Sequence, residues 1–234
     1  MSERKRREIK SFVLRQGRLT KGQQYAMSEY WPVYGLENTG RVLDLSLVFG
    51  NTAPVVLEIG FGNGDSLAAM AMAEPEKNFI GIEVHRPGVG HLLHLLVERQ
   101  ISNVRLMNSD AVAILQHCIA PAALDRVQLY FPDPWHKKRH HKRRIVQNPF
   151  INLVASRLRA GGLFHLATDW EDYAIHMSEL MQQSDAFRSM AADGMSFIER
   201  PAFRPQTKFE QRGLGLGHGV WDLLYERKLM TSIR

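Results

Sequence analysis

The sequence has a single cysteine, no long apolar run, and no acidic residue in its basic stretch 136–144. Because Cys118 is the only cysteine, an intrachain disulfide framework and every zinc or iron–sulfur site built from several cysteines are excluded. No segment approaches the roughly 20 apolar residues that span a bilayer, and the N-terminus lacks the apolar stretch of a secretory signal. These absences predict a cytoplasmic protein with no membrane partner.

Positive charge is concentrated in two segments. The net charge is +6, and the chain has 30 lysines and arginines. Eleven of them lie in two short runs, at Arg4, Lys5, Arg6, Arg7 and Lys10, and at Lys137, Lys138, Arg139, Lys142, Arg143 and Arg144. The rest of the chain has no positive excess, so the basicity is local, as is typical of a surface that binds a polyanion. Nucleic acid is the expected partner.

Short β-rich runs alternate with longer helix-like segments from about residue 53 onward. The strand candidates are PVVLEIG, NFIGIEV, NVRLMN, DRVQLYF and LFHLATD. This alternation predicts an α/β fold with a mostly parallel sheet and helices on both faces. VWDLLYERKLM alternates apolar and polar residues and predicts an antiparallel C-terminal edge strand. Residues 1–50 lack the alternation and predict a basic arm with one short helix.

A glycine-rich turn follows the first strand candidate. LEIGFGNG, residues 57–64, lies where open α/β sheets bind ligands, and Gly60, Gly62 and Gly64 permit a tight turn and close approach by a ligand. The third glycine comes one residue too early for the dinucleotide-binding pattern. Glu58, at the end of the strand, suits a ligand with a cationic sulfonium group, such as S-adenosylmethionine.

Two more acids end the next two strand candidates. Glu83 ends the second, where a carboxylate can accept hydrogen bonds from both ribose hydroxyls. Asp110 follows the third and is placed for the adenine amino group. Either acid alone is equally well explained as a helix cap or a solvated strand end. Three acids at successive strand ends, together with the glycine spacing, favour the cofactor.

Asp133 lies between two prolines after the fourth strand candidate, in YFPDPWHKKRHHKRR. Pro132 and Pro134 restrict the backbone on both sides, which predicts a carboxylate held in one direction where cofactor and substrate meet. Trp135 either packs in the core or stacks on a base.

The nine residues after Trp135, numbers 136–144, form a basic segment without an acid. Such a run favours phosphate binding over a merely solvated face. His136, His140 and His141 have no cysteine or acid in the same run to complete a tetrahedral zinc set, so no metal is expected.

Several motifs in order resemble the bacterial tRNA (guanine-N7-)-methyltransferase family over nearly the whole chain. They are SFVLRQGRLT, LEIGFGNGDSL, GIEVHRPG, FPDPWHKKRHHKRR, HLATDWEDYA and RPQTKFEQRGLGLGHGVWDL. The resemblance implies a Rossmann-like class I methyltransferase fold, with residues 51–234 as the S-adenosylmethionine-dependent domain. It also implies transfer of a methyl group to N7 of guanine in tRNA, at the variable-loop guanine 46, forming 7-methylguanosine.

The same resemblance assigns the site residues. Asp133 is implied to be catalytic and to contact S-adenosylmethionine together with Glu58, Glu83 and Asp110, beside the glycines of the turn. The implied substrate contacts are Lys137, Asp169, Thr207, Lys208, Phe209 and Glu210. The implied RNA contacts are Arg139, His140, His141, Lys142, Arg143 and Arg144.

Two other functions fit part of the sequence. An RNA-binding protein without activity would explain the basic segment but not the three acids at strand ends. Methylation of an exocyclic amine is suggested by PDPW, which is similar to the [DN]-P-P-[FYW] motif of such enzymes but lacks its adjacent prolines. Residues 207–210 are either a lid over the site or a turn before the last strand. We expect a monomer rather than a homodimer.

Overall fold

A computed structural model describes residues 11–12, 17–206, 210 and 219–229. The helices are α1 (Lys21–Glu29), α2 (Trp31–Tyr34), α3 (Leu45–Phe49), α4 (Asp65–Ala73), α5 (Arg86–Glu98), α6 (Ala111–His117), α7 (Asn148–Arg157) and α8 (Glu171–Gln182). The strands are β1 (Val55–Ile59), β2 (Asn78–Ile82), β3 (Val104–Met107), β4 (Leu124–Tyr130), β5 (Leu158–Thr168), β6 (Phe187–Ser189) and β7 (Trp221–Arg227). A 3₁₀ helix covers Lys138–Arg143.

The strands form one sheet in the order β3-β2-β1-β4-β5-β7-β6. The pairs β3·β2, β2·β1, β1·β4 and β4·β5 are parallel, whereas β7 is antiparallel to both β5 and β6. The predicted α/β fold, its five parallel strands and the antiparallel C-terminal strand are therefore confirmed. One detail differs, because the three-residue β6 lies outside β7 and forms the edge.

Different helices cover the two faces of the sheet, because side chains alternate along each strand. Val55, Leu57 and Ile59 pack in a core with residues of α6, α7 and α8. Val56 packs in a second core with residues of α1, α4 and α5. Both faces are thus buried, as the near-continuous apolar strands predict.

The order of the strands places a crevice between β1 and β4. From β1 the chain moves outward to β2 and β3, then returns to β4 on the other side of β1. Ligands of open α/β sheets bind at this reversal, outside the carboxyl ends of the strands. The loop after β1 and the loop after β4 therefore face the same space.

The described part of the segment before β1 contains three helices where the sequence predicted one. Helix α1 packs against α5: Ala26 is fully buried, the Gln23 side chain donates to the Pro87 carbonyl at 3.0 Å, and His94 lies 2.7 Å from the Gly22 carbonyl. Helix α1 is thus attached to the helical layer that contains α5. The division of the chain at residue 50 stays a prediction. No helix in the described part of the chain is long and apolar enough to cross a membrane.

Candidate active site

A cavity of about 750 Å³ opens in the crevice at the carboxyl ends of the parallel strands. Its lining includes six of the predicted site residues, Gly60, Glu83, Asp110, Asp133, Lys137 and His140. They come from four separate segments of the chain, which the parallel sheet brings to one edge. The shared location is what a single ligand site requires.

Glu83 is held by three backbone amides. Its carboxylate accepts from the N–H groups of Gly62 at 2.8 Å, Val84 at 2.7 Å and His85 at 2.9 Å. Gly60 and Gly62 adopt φ angles of +73° and +60°, a left-handed backbone that favours glycine. The turn after β1 and the acid after β2 thus form one preorganised unit at the cavity wall.

Asp110 caps a helix and also lines the cavity. It is the N-cap of α6, and its Oδ1 accepts from the Val112 N–H at 2.9 Å. The cap explanation considered for this residue is therefore correct. Because the cap fixes the carboxylate at the cavity wall, it also supports a role in ligand binding.

Glu58 lies beneath the glycine turn and is absent from the cavity lining. Its side chain is buried, and Oε2 accepts from the Gln128 side chain at 3.4 Å. Burial raises the pKa of Glu58 to about 8, although Arg126 and Gln128 act in the opposite direction. The expected contact between an ionised Glu58 and a sulfonium therefore has no support in the structure, because the carboxyl is both covered and protonated near neutral pH.

The loop that carries Asp133 has an unusual backbone. Phe131 and Trp135 flank the Pro-Asp-Pro sequence and adopt φ angles of +50° and +47°. Non-glycine residues in this region cost free energy and occur preferentially at functional sites. The Phe131 N–H donates to the Ala167 carbonyl at 2.8 Å, which ties the loop to β5. Asp133 itself is exposed at the cavity.

Trp135 lies outside both hydrophobic cores and lines the cavity. The Arg143 guanidinium stacks on its indole ring at 3.7 Å, and the indole N–H donates to the Ser11 carbonyl at 3.1 Å. Arg143 also donates to the Phe12 carbonyl at 3.4 Å. Ser11 and Phe12 line the cavity, so Trp135 and Arg143 fasten a piece of the N-terminal arm to the cavity wall.

The basic segment divides into exposed and buried cations. Lys137, Lys138, Arg139 and Lys142 are exposed. Arg144 is buried: its Nε donates to the Pro134 carbonyl at 2.9 Å, and its Nη2 forms an ion pair with Asp172.

This burial corrects the prediction for Arg144. The guanidinium also lies over the Tyr173 ring at 4.7 Å, so its donors are directed into the protein. Arg144 stabilises the loop that carries Asp133 from below, and a phosphate has no access to it.

His140 lines the cavity, and the nearby His141 packs beside Arg144 at 3.2 Å. Partial burial and the cations around it, Arg139 first among them, lower the pKa of His140. Both effects favour the neutral form of the His140 ring. Within the described ranges, no group of three His, Cys, Asp or Glu side chains is arranged to hold a metal ion.

The remaining predicted contacts have different outcomes. Asp169 is exposed directly after β5, at the same sheet edge but outside the cavity lining. Thr207, Lys208 and Phe209 lie outside the described residues. Glu210 is buried and forms a bidentate ion pair with Arg204, at 2.8 Å for each contact. Its carboxylate is thus engaged inside the protein.

Sequence reasoning missed several cavity residues. Ser11, Phe12, Tyr130, His85 and Ser109 all line the cavity. Tyr130 and Ser109 stand next to the predicted strand ends, so position alone was a usable signal for them. Their position in the sequence does not indicate Ser11 and Phe12 in the same way. They reach the cavity through contacts with a distant segment, and the Trp135–Ser11 bond joins residues 124 positions apart.

Comparison with known protein families and sequences gives a consistent result. A family model described as "Putative methyltransferase" matches residues 52–223. A tRNA (guanine-N(7)-)-methyltransferase of Shewanella piezotolerans is 58% identical over 221 residues, which cover 94% of this chain and 93% of the relative. An enzyme of the same description from Serratia proteamaculans is 56% identical, and the match covers 95% of this chain and 92% of the relative. One from Klebsiella pneumoniae is 58% identical, and the match covers 94% of this chain and 92% of the relative.

Solved structures resemble the fold at low sequence identity. The 16S rRNA methyltransferase KamB matches with a TM-score of 0.59 and 11% identity, covering 81% of this chain and 95% of that structure. An rRNA methylase from Streptococcus thermophilus matches with a TM-score of 0.51 and 12% identity, covering 91% of this chain and 100% of that structure. At such identities the likeness establishes the class I methyltransferase fold alone.

Proposed function

The chain belongs to the tRNA (guanine-N(7)-)-methyltransferase family, and from this premise we propose that it methylates N7 of the variable-loop guanine at position 46 of tRNA. The reaction converts that guanosine to 7-methylguanosine. The cofactor is S-adenosylmethionine, which supplies the methyl group on an electrophilic sulfonium.

The donor set of the cavity fits this cofactor. Glu83, already oriented by three amides, keeps one of its roughly four lone pairs, on Oε2, to accept from a ribose hydroxyl. Asp110 is fixed as a helix cap, and we expect it to accept from the adenine amino group. Gly60 allows the backbone to approach the ligand closely. Gly62 and Gly64 shape the turn, and Glu58 lies behind it.

Asp133 acts by electrostatic stabilisation and positioning. Guanine N7 carries a lone pair and no proton at neutral pH, so its attack on a methyl group needs no general base. Positive charge develops on the purine as the methyl group arrives, and a fixed carboxylate at the cavity stabilises that charge. Asp169, at the neighbouring strand end, accepts from guanine N1–H and the N2 amine and orients the base.

The exposed cations hold the tRNA backbone. Lys137 lies at the cavity wall, and Lys138, Arg139 and Lys142 follow it along an exposed surface. Such cations bind phosphates without reading sequence. His140 and His141 border the same surface. The protein is placed in the cytoplasm by its substrate, and we expect it to act as a monomer.

The observation that supports this function best is the cavity itself, because Asp133 and Lys137 line the same cavity as Glu83 and Asp110. The test is to incubate the protein with S-adenosylmethionine and a tRNA transcript, then digest the RNA to nucleosides for mass spectrometry. We expect 7-methylguanosine, and none from a transcript with adenine at position 46. An N-methylated amine in the digest would support the exocyclic-amine alternative, and no methylated nucleoside at all would leave only RNA binding.

Asp133→Asn tests the role of the carboxylate. We expect the single-turnover rate to fall by about 100-fold, because charge stabilisation in the transition state is lost, while tRNA affinity is unchanged. Asp185→Asn removes one charge from an exposed position outside the cavity lining and serves as the control. A normal single-turnover rate for Asp133→Asn would rule out an essential charge.

A further inference from the structure

Five buried polar side chains form a continuous chain from the cavity to residue 210. The Tyr130 hydroxyl lies 2.9 Å from His165 Nδ1, and His165 Nε2 lies 2.7 Å from Asp222 Oδ1. Arg204 donates to both oxygens of Asp222, at 2.7 and 2.6 Å, and to both oxygens of Glu210, at 2.8 Å each. All five side chains are 7% exposed or less.

The contacts fix the direction of every proton in this chain. Asp222 faces Arg204 and His165. Burial raises the pKa of Asp222, but the hydrogen bonds from His165 and Arg204 outweigh burial, so the net effect is a lowered pKa. Asp222 is therefore an acceptor, so His165 donates from Nε2. Burial lowers the pKa of His165, and the neutral ring then accepts at Nδ1 from the Tyr130 hydroxyl, whose own pKa is raised by burial. With these proton positions, every donor in the network faces an acceptor.

Stability alone is a weak reason for such a network. Removing charges from water costs several kcal/mol per ion, and apolar side chains of similar size often serve equally well. What a fully satisfied network provides is a unique geometry. Here that geometry ends at Tyr130, the last residue of β4, which directly precedes the loop containing Asp133. The Arg204 guanidinium also lies 5.8 Å from the ring centres of both Tyr130 and Phe131.

We infer that Glu210, Arg204, Asp222 and His165 are positioning residues for methyl transfer, acting through Tyr130 on the loop that carries Asp133. This inference rests on the proposed function of the cavity. It assigns Glu210 a role that differs from the substrate contact predicted from the sequence, because its carboxylate is bound to the fully buried Arg204.

The test compares two tyrosines with the same substitution. Tyr130→Phe removes the hydroxyl that bonds His165 at the end of the network. Tyr225→Phe removes a hydroxyl that bonds Ser178 in the other core. We expect Tyr130→Phe to lower the single-turnover rate about tenfold, with the Kd values for S-adenosylmethionine and tRNA within about twofold of wild type. Tyr225→Phe should leave the rate unchanged at a comparable loss of Tm. Equal rates for Tyr130→Phe and wild type would overturn the inference.

A double-mutant cycle tests the role of Glu210. If Glu210 acts through Arg204 and Tyr130, Glu210→Gln also lowers the single-turnover rate at saturating tRNA, and its effect does not multiply with that of Tyr130→Phe. If Glu210 instead contacts tRNA, Glu210→Gln raises the Kd for tRNA, and the two effects multiply. Wild-type formation of 7-methylguanosine is measured in the same assay, so a failure of the proposed function is recognised separately.

Discussion

Burial decides what each carboxylate of this site does. Glu58 and Asp133 both lie at the carboxyl end of a strand, and the sequence gives them similar prospects of contacting the cofactor. Asp133 is exposed at the cavity, whereas Glu58 is turned under the glycine loop, next to Gln128. The difference follows from the alternation of side chains along β1, which directs Glu58 into the layer covered by α4.

The raised pKa of Glu58 gives a prediction for stability. The folded protein holds this proton between the ordinary pKa of 4.5 and about 8, while the unfolded chain releases it. The folded state then binds more protons, so this group makes stability fall as pH rises through that window. We expect Glu58→Gln to raise Tm relative to wild type more at pH 8.5 than at pH 5, measured by thermal unfolding in matched buffers. Parallel Tm curves would contradict a protonated Glu58.

At the scale of elements, the glycine turn is positioned by β2 and α5 as well as by its own residues. Glu83 at the end of β2 binds the Gly62 N–H, and Gly88 in α5 packs directly on the turn. A Cβ added at Gly88 would lie 2.0 Å from the Gly62 carbonyl oxygen. Only a residue without a side chain permits this approach, so Gly88 as well as Glu83 positions the glycine turn.

Gly88→Ala should therefore weaken cofactor binding. The added methyl group forces the glycine turn or α5 to move, which disturbs the bond between Gly62 and Glu83. We expect about a tenfold higher Kd for S-adenosylmethionine by calorimetry, using the sensitivity of bound geometry to displacements of about 1 Å. Gly22→Ala is the matched control, because the nearest atom to its added Cβ is a side-chain nitrogen at 3.4 Å, an ordinary contact. A folded Gly88→Ala variant with unchanged Kd would contradict this packing.

At the scale of the whole molecule, four exposed cations remain from the basic segment, and they set a quantitative expectation for tRNA binding. Four phosphate contacts give a log–log slope of affinity against salt of about −3 to −3.5, compared with about −4 to −5 for six contacts. The smaller value follows from the burial of Arg144 and from the stacking of Arg143 on Trp135.

Charge removal separates this surface from the remainder of the molecule. Lys138→Gln combined with Arg139→Gln should reduce the slope by about half, measured as tRNA Kd between low and moderate salt. Arg159→Gln removes an exposed cation at the start of β5, at the opposite edge of the sheet, and should leave the slope unchanged. Equal slopes for wild type and the double variant would exclude the basic segment from the interface.

How much of the site the sequence predicts depends on how local each contact is. The five strands, the glycine turn, Glu83 and Asp110 follow from local patterns, because parallel strands bring their carboxyl ends to one edge. The attachment of Ser11 to Trp135 and the buried position of Arg144 are contacts across distant segments, which no local pattern records. Glu210 similarly pairs with Arg204 and lies in a network with Asp222.

The sequence by itself determined the α/β fold, the edge at which the ligands meet and the family, because periodicity and motif order are properties of the chain. Only the tertiary structure decided which charges face solvent and which face each other. Burial depends on the layers packed above and below each strand. The layers bury Glu58 in β1, whereas Arg144 and Glu210 are held inward by their ion pairs with Asp172 and Arg204. Asp133 remains exposed at the cavity.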